Sequence, residues 1–90
     1  MPMYKVTVLP IARDDIADIY LYIAIDNPEA AFRVTNEIVD KIDTLTKFPE
    51  RCPIVQDNIL ARQGYRMLII ESYIAFFKVF ESEVMVYRVG

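Results

Sequence analysis

Residues 64–90 read GYRMLIIESYIAFFKVFESEVMVYRVG, and this stretch decides the fold. Three apolar runs, at 66–70, 74–80 and 84–89, are separated by Glu71-Ser72-Tyr73 and Glu81-Ser82-Glu83. Each run is rich in Ile, Val, Phe and Tyr, which suit a pleated, half-buried surface, and each gap is short enough for a hairpin. Three strands joined this way make an antiparallel meander. The cations within it are few: Arg66, Lys78 and Arg88.

Working back toward the N-terminus, residues 50–63 (ERCPIVQDNILARQ) show no period and mixed polarity. They predict a loop pinned to the core by Ile54, Val55, Ile59 and Leu60, with a short helical turn at about 57–61. Phe48-Pro49 closes the segment before it, because a residue preceding proline avoids the helical region. In that segment Ala31, Val34, Ile38, Ile42 and Leu45 recur at helical spacing and predict a helix from Asn27-Pro28-Glu29 to about Lys47. Asn27 is an N-cap, Pro28 fills the first helical position, and Glu29 complements the helix dipole. Glu37/Lys41 and Asp43/Lys47 stand at i,i+4 in the favourable order.

A second amphipathic pattern, Ala12, Ile16, Ile19, Tyr20 and Ile23, predicts a helix over about 11–25 with Asp14 and Asp15 in its first turn. Leu21 and Ile25 lie off that stripe and are either covered by the other helix or exposed. The short link at Asp26-Asn27 makes the two helices an antiparallel hairpin. Ahead of them YKVTVL (4–9) alternates as a strand, with Tyr4, Val6 and Val8 on one side and Lys5, Thr7 and Leu9 on the other. The expected fold is α+β, in the order β-α-α-β-β-β: an antiparallel meander sheet with a helical hairpin packed on one face. Residues 1–90 form one domain.

Composition prunes the chemistry. No histidine is present, which removes Ser-His and Cys-His pairs and most transition-metal sites. Two glycines, Gly64 and Gly90, cannot build a phosphate loop, and the one cysteine, Cys52, cannot form an internal disulfide. No cofactor is expected. The net charge of −3 runs against a protein whose affinity comes from phosphate contacts. The apolar share, 54%, is more than so small a domain hides, which points to a protein partner or a homodimer. No run approaches membrane-spanning length and MPMYKVTVLP lacks a signal-peptide pattern, so the expected location is cytoplasmic, with no membrane partner.

A sheet with helices on one face leaves the other open. Ala75, Phe77 and Val79 form the face to bury; Ile74, Phe76, Lys78 and Phe80 form the other. Three-residue hairpin loops would set Arg66 and Arg88 beside Lys78 on that open face, whereas a one-residue slip would scatter them. The trio reads as an anion site, arginine offering a fork and lysine a point charge, or as solvated charges snorkelling past apolar neighbours. Tyr73 and Tyr87 read as hydrogen-bond donors or as strand packing.

The element order, with ARDDIADIYLYIAIDNPEAA, IDTLTKFPE and GYRMLIIESYIAFFKVFESEVMVYRV, resembles the RelE/ParE superfamily of bacterial toxins from type II toxin–antitoxin (plasmid stabilisation) modules. The resemblance covers nearly the whole chain. It implies a small toxin neutralised by a cognate antitoxin whose extended segment and helix lie across its surface. Members resembling RelE cut messenger RNA on the ribosome without a metal, through basic residues on the open sheet face. Members resembling ParE bind and poison DNA gyrase and need no cleavage site.

Three departures separate this chain from the ribonuclease pattern. Tyr73 is followed by Ile74 where many members carry arginine. Residues 67–70 are wholly apolar where the nucleases carry lysines. The sequence ends at Gly90, about where a basic tail would begin. The first expectation is therefore a gyrase-directed interaction protein. The second is a ribosome-dependent endoribonuclease whose catalytic residues are Arg66, Lys78, Tyr87 and Arg88, and the third an inactive or tail-truncated binding module. Arg66 and Arg88 carry over weakly by strand position; Lys78 and Tyr87 come from the strand geometry.

Overall fold

The structure, a computed structural model, describes residues 3–90. Strand β1 (Lys5–Val8) leads into helix α1 (Pro10–Ala24), which a short turn joins to helix α2 (Pro28–Asp43). Two 3-10 turns, Thr44–Thr46 and Pro49–Arg51, and a short helix α3 (Asn58–Arg62) precede β2 (Arg66–Ile70), β3 (Tyr73–Phe80) and β4 (Glu83–Val89). The sheet order is β1-β4-β3-β2, with the meander antiparallel as expected. Strand β1 adds to β4 in parallel, so the sheet as a whole is mixed. That parallel pairing follows from the connection, because the helical hairpin carries the chain from one end of the sheet back to the other.

Helix α2 forms where its signals place it. The Asn27 Oδ1 accepts the Ala30 N–H at 3.1 Å, and Ala31, Val34, Ile38 and Ile42 point into the core. Its α-helix stops at Asp43 rather than near Lys47, but the 3-10 turn that follows keeps Leu45 buried. With the turn tightened, Asp43 and Lys47 no longer share a helical face. Among the described residues the ion pairs are Arg33–Glu71 and Arg88–Asp15, so neither expected i,i+4 pair closes. In α1 Pro10 itself is the first helical residue. Asp14 and Asp15 consequently fall in the second turn, not the first.

The core lies between the hairpin and one sheet face. Ala12, Val34, Ile38, Ile42 and Leu45 meet Ile70, Ala75, Phe77, Val84, Val86 and Val89, with Ile16, Ile19 and Ile23 packed at its margin. Phe77 is the largest of the fully buried side chains and sits at the centre of the meander. Of the four residues expected to pin the 50–63 segment, Val55 alone is buried; Ile54, Ile59 and Leu60 are exposed. Asp57 caps α3 by accepting the N–H groups of Ile59 and Leu60, which gives the short helix its start. Phe48 leaves the right-handed helical region ahead of Pro49 by adopting φ 52°, left-handed backbone that non-glycine residues rarely take. The Arg51 guanidinium lies 4.4 Å over its ring.

Candidate functional site

The register of the meander sets which side chains share the open face. Both hairpins use two-residue loops, not three: Ile70 pairs with Tyr73 and Phe80 with Glu83. Glu71 and Glu81 make this fit by taking positive φ, 54° and 47°, at the first loop position. Two-residue hairpin loops demand such backbone and normally advertise it with glycine or asparagine. Neither residue type is present at these loops.

The tighter β2–β3 loop moves Arg66 by one register position. It pairs with Phe77 instead of Lys78 and so belongs to the face that the helices cover. There its Nη1 donates to the backbone carbonyls of Cys52 (2.7 Å) and Glu50 (3.2 Å), tying the 50–63 segment to the sheet. The expected trio is therefore split, and Arg66 is an anchor for a loop. Beside it burial pushes the Cys52 thiol above its ordinary pKa, against the smaller opposing pull of Arg66, which keeps it protonated and unreactive at neutral pH. Tyr4 donates to Glu50 at 3.1 Å, and that hydrogen bond holds its phenol above the ordinary range.

Arg88 reaches the open face by a different route. After the two-residue loop Lys78 pairs with Met85, which alone would put Arg88 on the buried side. A β-bulge between Phe76 and Phe77 inserts Tyr87 as an extra residue, so that Phe76 faces Arg88. The guanidinium then turns to α1 and grips Asp15 with two hydrogen bonds, Nε to Oδ2 at 2.8 Å and Nη2 to Oδ1 at 3.0 Å. Asp15 Oδ2 also accepts the Val89 N–H at 3.0 Å, beyond the point where β1 stops pairing with β4. These bonds hold the Asp15 carboxyl below its usual range, Arg88 contributing most, and raise Arg88 further above its own. Arg88 is permanently charged and already neutralised.

Of the expected trio, Lys78 is the cation left unpaired on this face. Its Nζ lies 4.5 Å from the Tyr65 ring centroid, 5.7 Å from Tyr87 and 6.0 Å from Phe80, an aromatic surround that attracts a cation through the ring quadrupoles. Tyr65 and Tyr87 meet edge to face at 5.3 Å. Next to them opens a hollow of about 370 Å³ lined by Ile11, Leu60, Tyr65, Phe76, Tyr87 and Arg88. Sequence reasoning placed Lys78 and Arg88 on this face, but its three-residue β3–β4 loop would pair Tyr87 with Phe77 on the covered face, and the bulge brings Tyr87 here instead. Tyr65, Asp15 and the α3 wall were not foreseen. Tyr65 lies outside every strand, and Asp15 is 73 residues from Arg88.

A second surface lies on the outer side of the helical hairpin. Leu21, Tyr22, Ile25 and Phe32 are 63%, 77%, 81% and 63% exposed, with Val39 beside them on α2. Leu21 and Ile25 are thus left uncovered by α2. This part of the chain is also strongly acidic: residues 10–43 hold eight acids and three bases, net −5, while the rest holds five acids and seven bases, net +2. No group of acids, Cys or His suited to a metal ion occurs among the described residues, and no helix is long and apolar enough to cross a membrane.

A β-α-α-β-β-β chain with its helices on one side of an open, mixed sheet has the architecture of the RelE/ParE toxins. The match to a family model is more particular. Residues 6–90 match the ParE toxin of type II toxin-antitoxin system, parDE, and the chain belongs to that family. Among solved structures it is similar to the chromosomal ParDE TA system from P. aeruginosa. The TM-score is 0.79 at 23% identity, over 97% of this chain and 94% of that one, a likeness of fold. Comparison with curated proteins gives no match.

Proposed function

We propose that this toxin acts by binding a protein target, DNA gyrase, and that a cognate antitoxin silences it by covering its apolar surface. The observation that carries the reading is the state of the three cations. Cleavage of RNA by its own 2′-OH requires free positive charge around a phosphorane-like transition state and a group to move protons. Arg66 is on the other face and bonded to carbonyls, and Arg88 is neutralised by Asp15. Lys78 remains, held against aromatic rings. One lysine stabilises far less charge than a cluster. The exposed hairpin stripe supports the antitoxin half of the proposal, since apolar area of this kind is what a helical or extended partner covers.

Inducible expression tests this directly, with growth, message cleavage and plasmid supercoiling followed in the same cells. Growth arrest with intact messages and relaxed plasmids is the expected outcome. Message cleavage that vanishes in Lys78→Ala would instead make the sheet face a ribonuclease site. An inert protein that still binds its antitoxin would be a binding module without toxicity.

A further inference from the structure

We propose that the hollow on the open sheet face receives one bulky apolar side chain of an acidic protein segment, whose adjacent carboxylate is held by Lys78. The inference rests on the reading of this face as a protein-binding surface and specifies what it binds. The walls are apolar: Ile11 from the first turn of α1, Leu60 from α3, Phe76 from β3, and the rings of Tyr65 and Tyr87. Arg88 is the one charged lining residue, and its pairing with Asp15 removes its demand for an anion. At about 370 Å³ the hollow takes one aromatic or long aliphatic side chain with part of its backbone. Sites of this size are typically apolar with a few placed polar groups.

Lys78 supplies the placed charge. It stands over the same Tyr65 and Tyr87 rings that line the hollow and forms no ion pair or hydrogen bond among the described residues. A single unpaired cation beside an apolar hollow matches a single carboxylate. A nucleic-acid strand presents regularly spaced phosphates and draws its affinity from several cations at once. The charge division of the chain agrees: five of the six lining residues, all but Ile11, and Lys78 itself belong to the part with net charge +2, and Asp15 at the hollow's edge is paired with Arg88. The partner segment is therefore an apolar residue, aromatic for preference, flanked by Asp or Glu.

The experiment uses the full chain labelled for ring signals of Tyr and Phe in NMR. It is titrated with the capped peptide Ac-Ala-Ala-Phe-Asp-Ala-Ala-NH2 and with its Asn counterpart. Saturable shifts at Tyr65, Phe76 and Tyr87 are expected, with binding roughly fivefold weaker for the Asn peptide, the scale of one exposed ion pair. Lys78→Met should weaken the Asp peptide to the same level, and Leu60→Trp, which fills the hollow from its rim, should abolish both; an unchanged amide spectrum elsewhere confirms that each variant is folded. Equal affinity for both peptides, shifts outside the hollow, or no shift at millimolar peptide would overturn the proposal. So would an octa-uridylate that saturates the same rings more tightly than the peptide, which would assign the face to RNA. Gyrase supercoiling is read separately: a chain that binds the peptide but spares gyrase refutes the target and leaves the hollow standing.

Discussion

The two large surfaces of this protein solve the same problem in opposite ways. The outer hairpin leaves Leu21, Tyr22, Ile25 and Phe32 in water with acids around them and makes no attempt to hide them. The open sheet face, by contrast, engages its own groups: Arg88 with Asp15, Thr7 with Glu83 at 2.9 Å, and Lys78 with Tyr65 and Tyr87. An uncovered stripe costs solubility and is suited to a partner that removes it from water. A face whose arginine is paired and whose lysine rests on aromatic rings offers a shaped recess instead of a broad apolar area. The comparison teaches that the hairpin is suited to broad coverage and the sheet to recognition of one side chain.

The largest expected effect tests whether the two surfaces depend on a shared core. Phe77→Ala, at a fully buried position beneath the sheet, should cost about 3–5 kcal/mol. Urea denaturation should then show both surfaces lost in one transition; separate transitions would mean the faces are independent units. Leu21→Asp with Ile25→Asp separates them from the other side. Antitoxin affinity should fall at least tenfold, about 1.4 kcal/mol, with the urea midpoint barely moved and gyrase inhibition retained. A large loss of stability would show that the stripe is structural after all.

Smaller effects sharpen the contrast. Asp15→Asn should loosen Arg88 and the Val89 amide and destabilise the fold by about 1 kcal/mol. The sign of the pH dependence follows from the depressed folded-state pKa of Asp15. Its contribution is complete above the ordinary carboxylate value and is lost as pH falls through the lower folded value, so Asp15→Asn should flatten the acid limb of the stability profile. Asn27→Ala removes the α2 cap and should cost about 1 kcal/mol without touching the sheet face. Glu81→Gly, which relieves positive φ in the β3–β4 loop, should gain about 0.5 kcal/mol and leave the register unchanged. Each is read as a shift in denaturation midpoint.

Much of the architecture was legible because it rests on local patterns. The spacing of Ala31, Val34, Ile38 and Ile42 and the Asn27-Pro28 start specify α2, and the alternation in 74–80 separates Phe77 from Phe76. The candidate site was less legible because one register position decides it. Glu71-Ser72 and Glu81-Ser82 carry none of the usual marks of a two-residue loop, so Arg66 was expected on the wrong face. Arg88 was expected on the right one for a different reason, since a three-residue loop and a two-residue loop plus the Tyr87 bulge give the same Phe76–Arg88 pairing.

The sequence by itself therefore determined the element order, the buried stripes and the identity of the cations, because hydrophobic periodicity and capping act over a few residues. Only the tertiary structure decided which cations remain available. Asp15 meets Arg88 across 73 residues of chain, Arg66 finds the carbonyls of a loop 14 and 16 residues away, and Tyr65 comes under Lys78 through the bend into β2. Such partners are set by the packing of whole elements and by strand register. No local pattern records them.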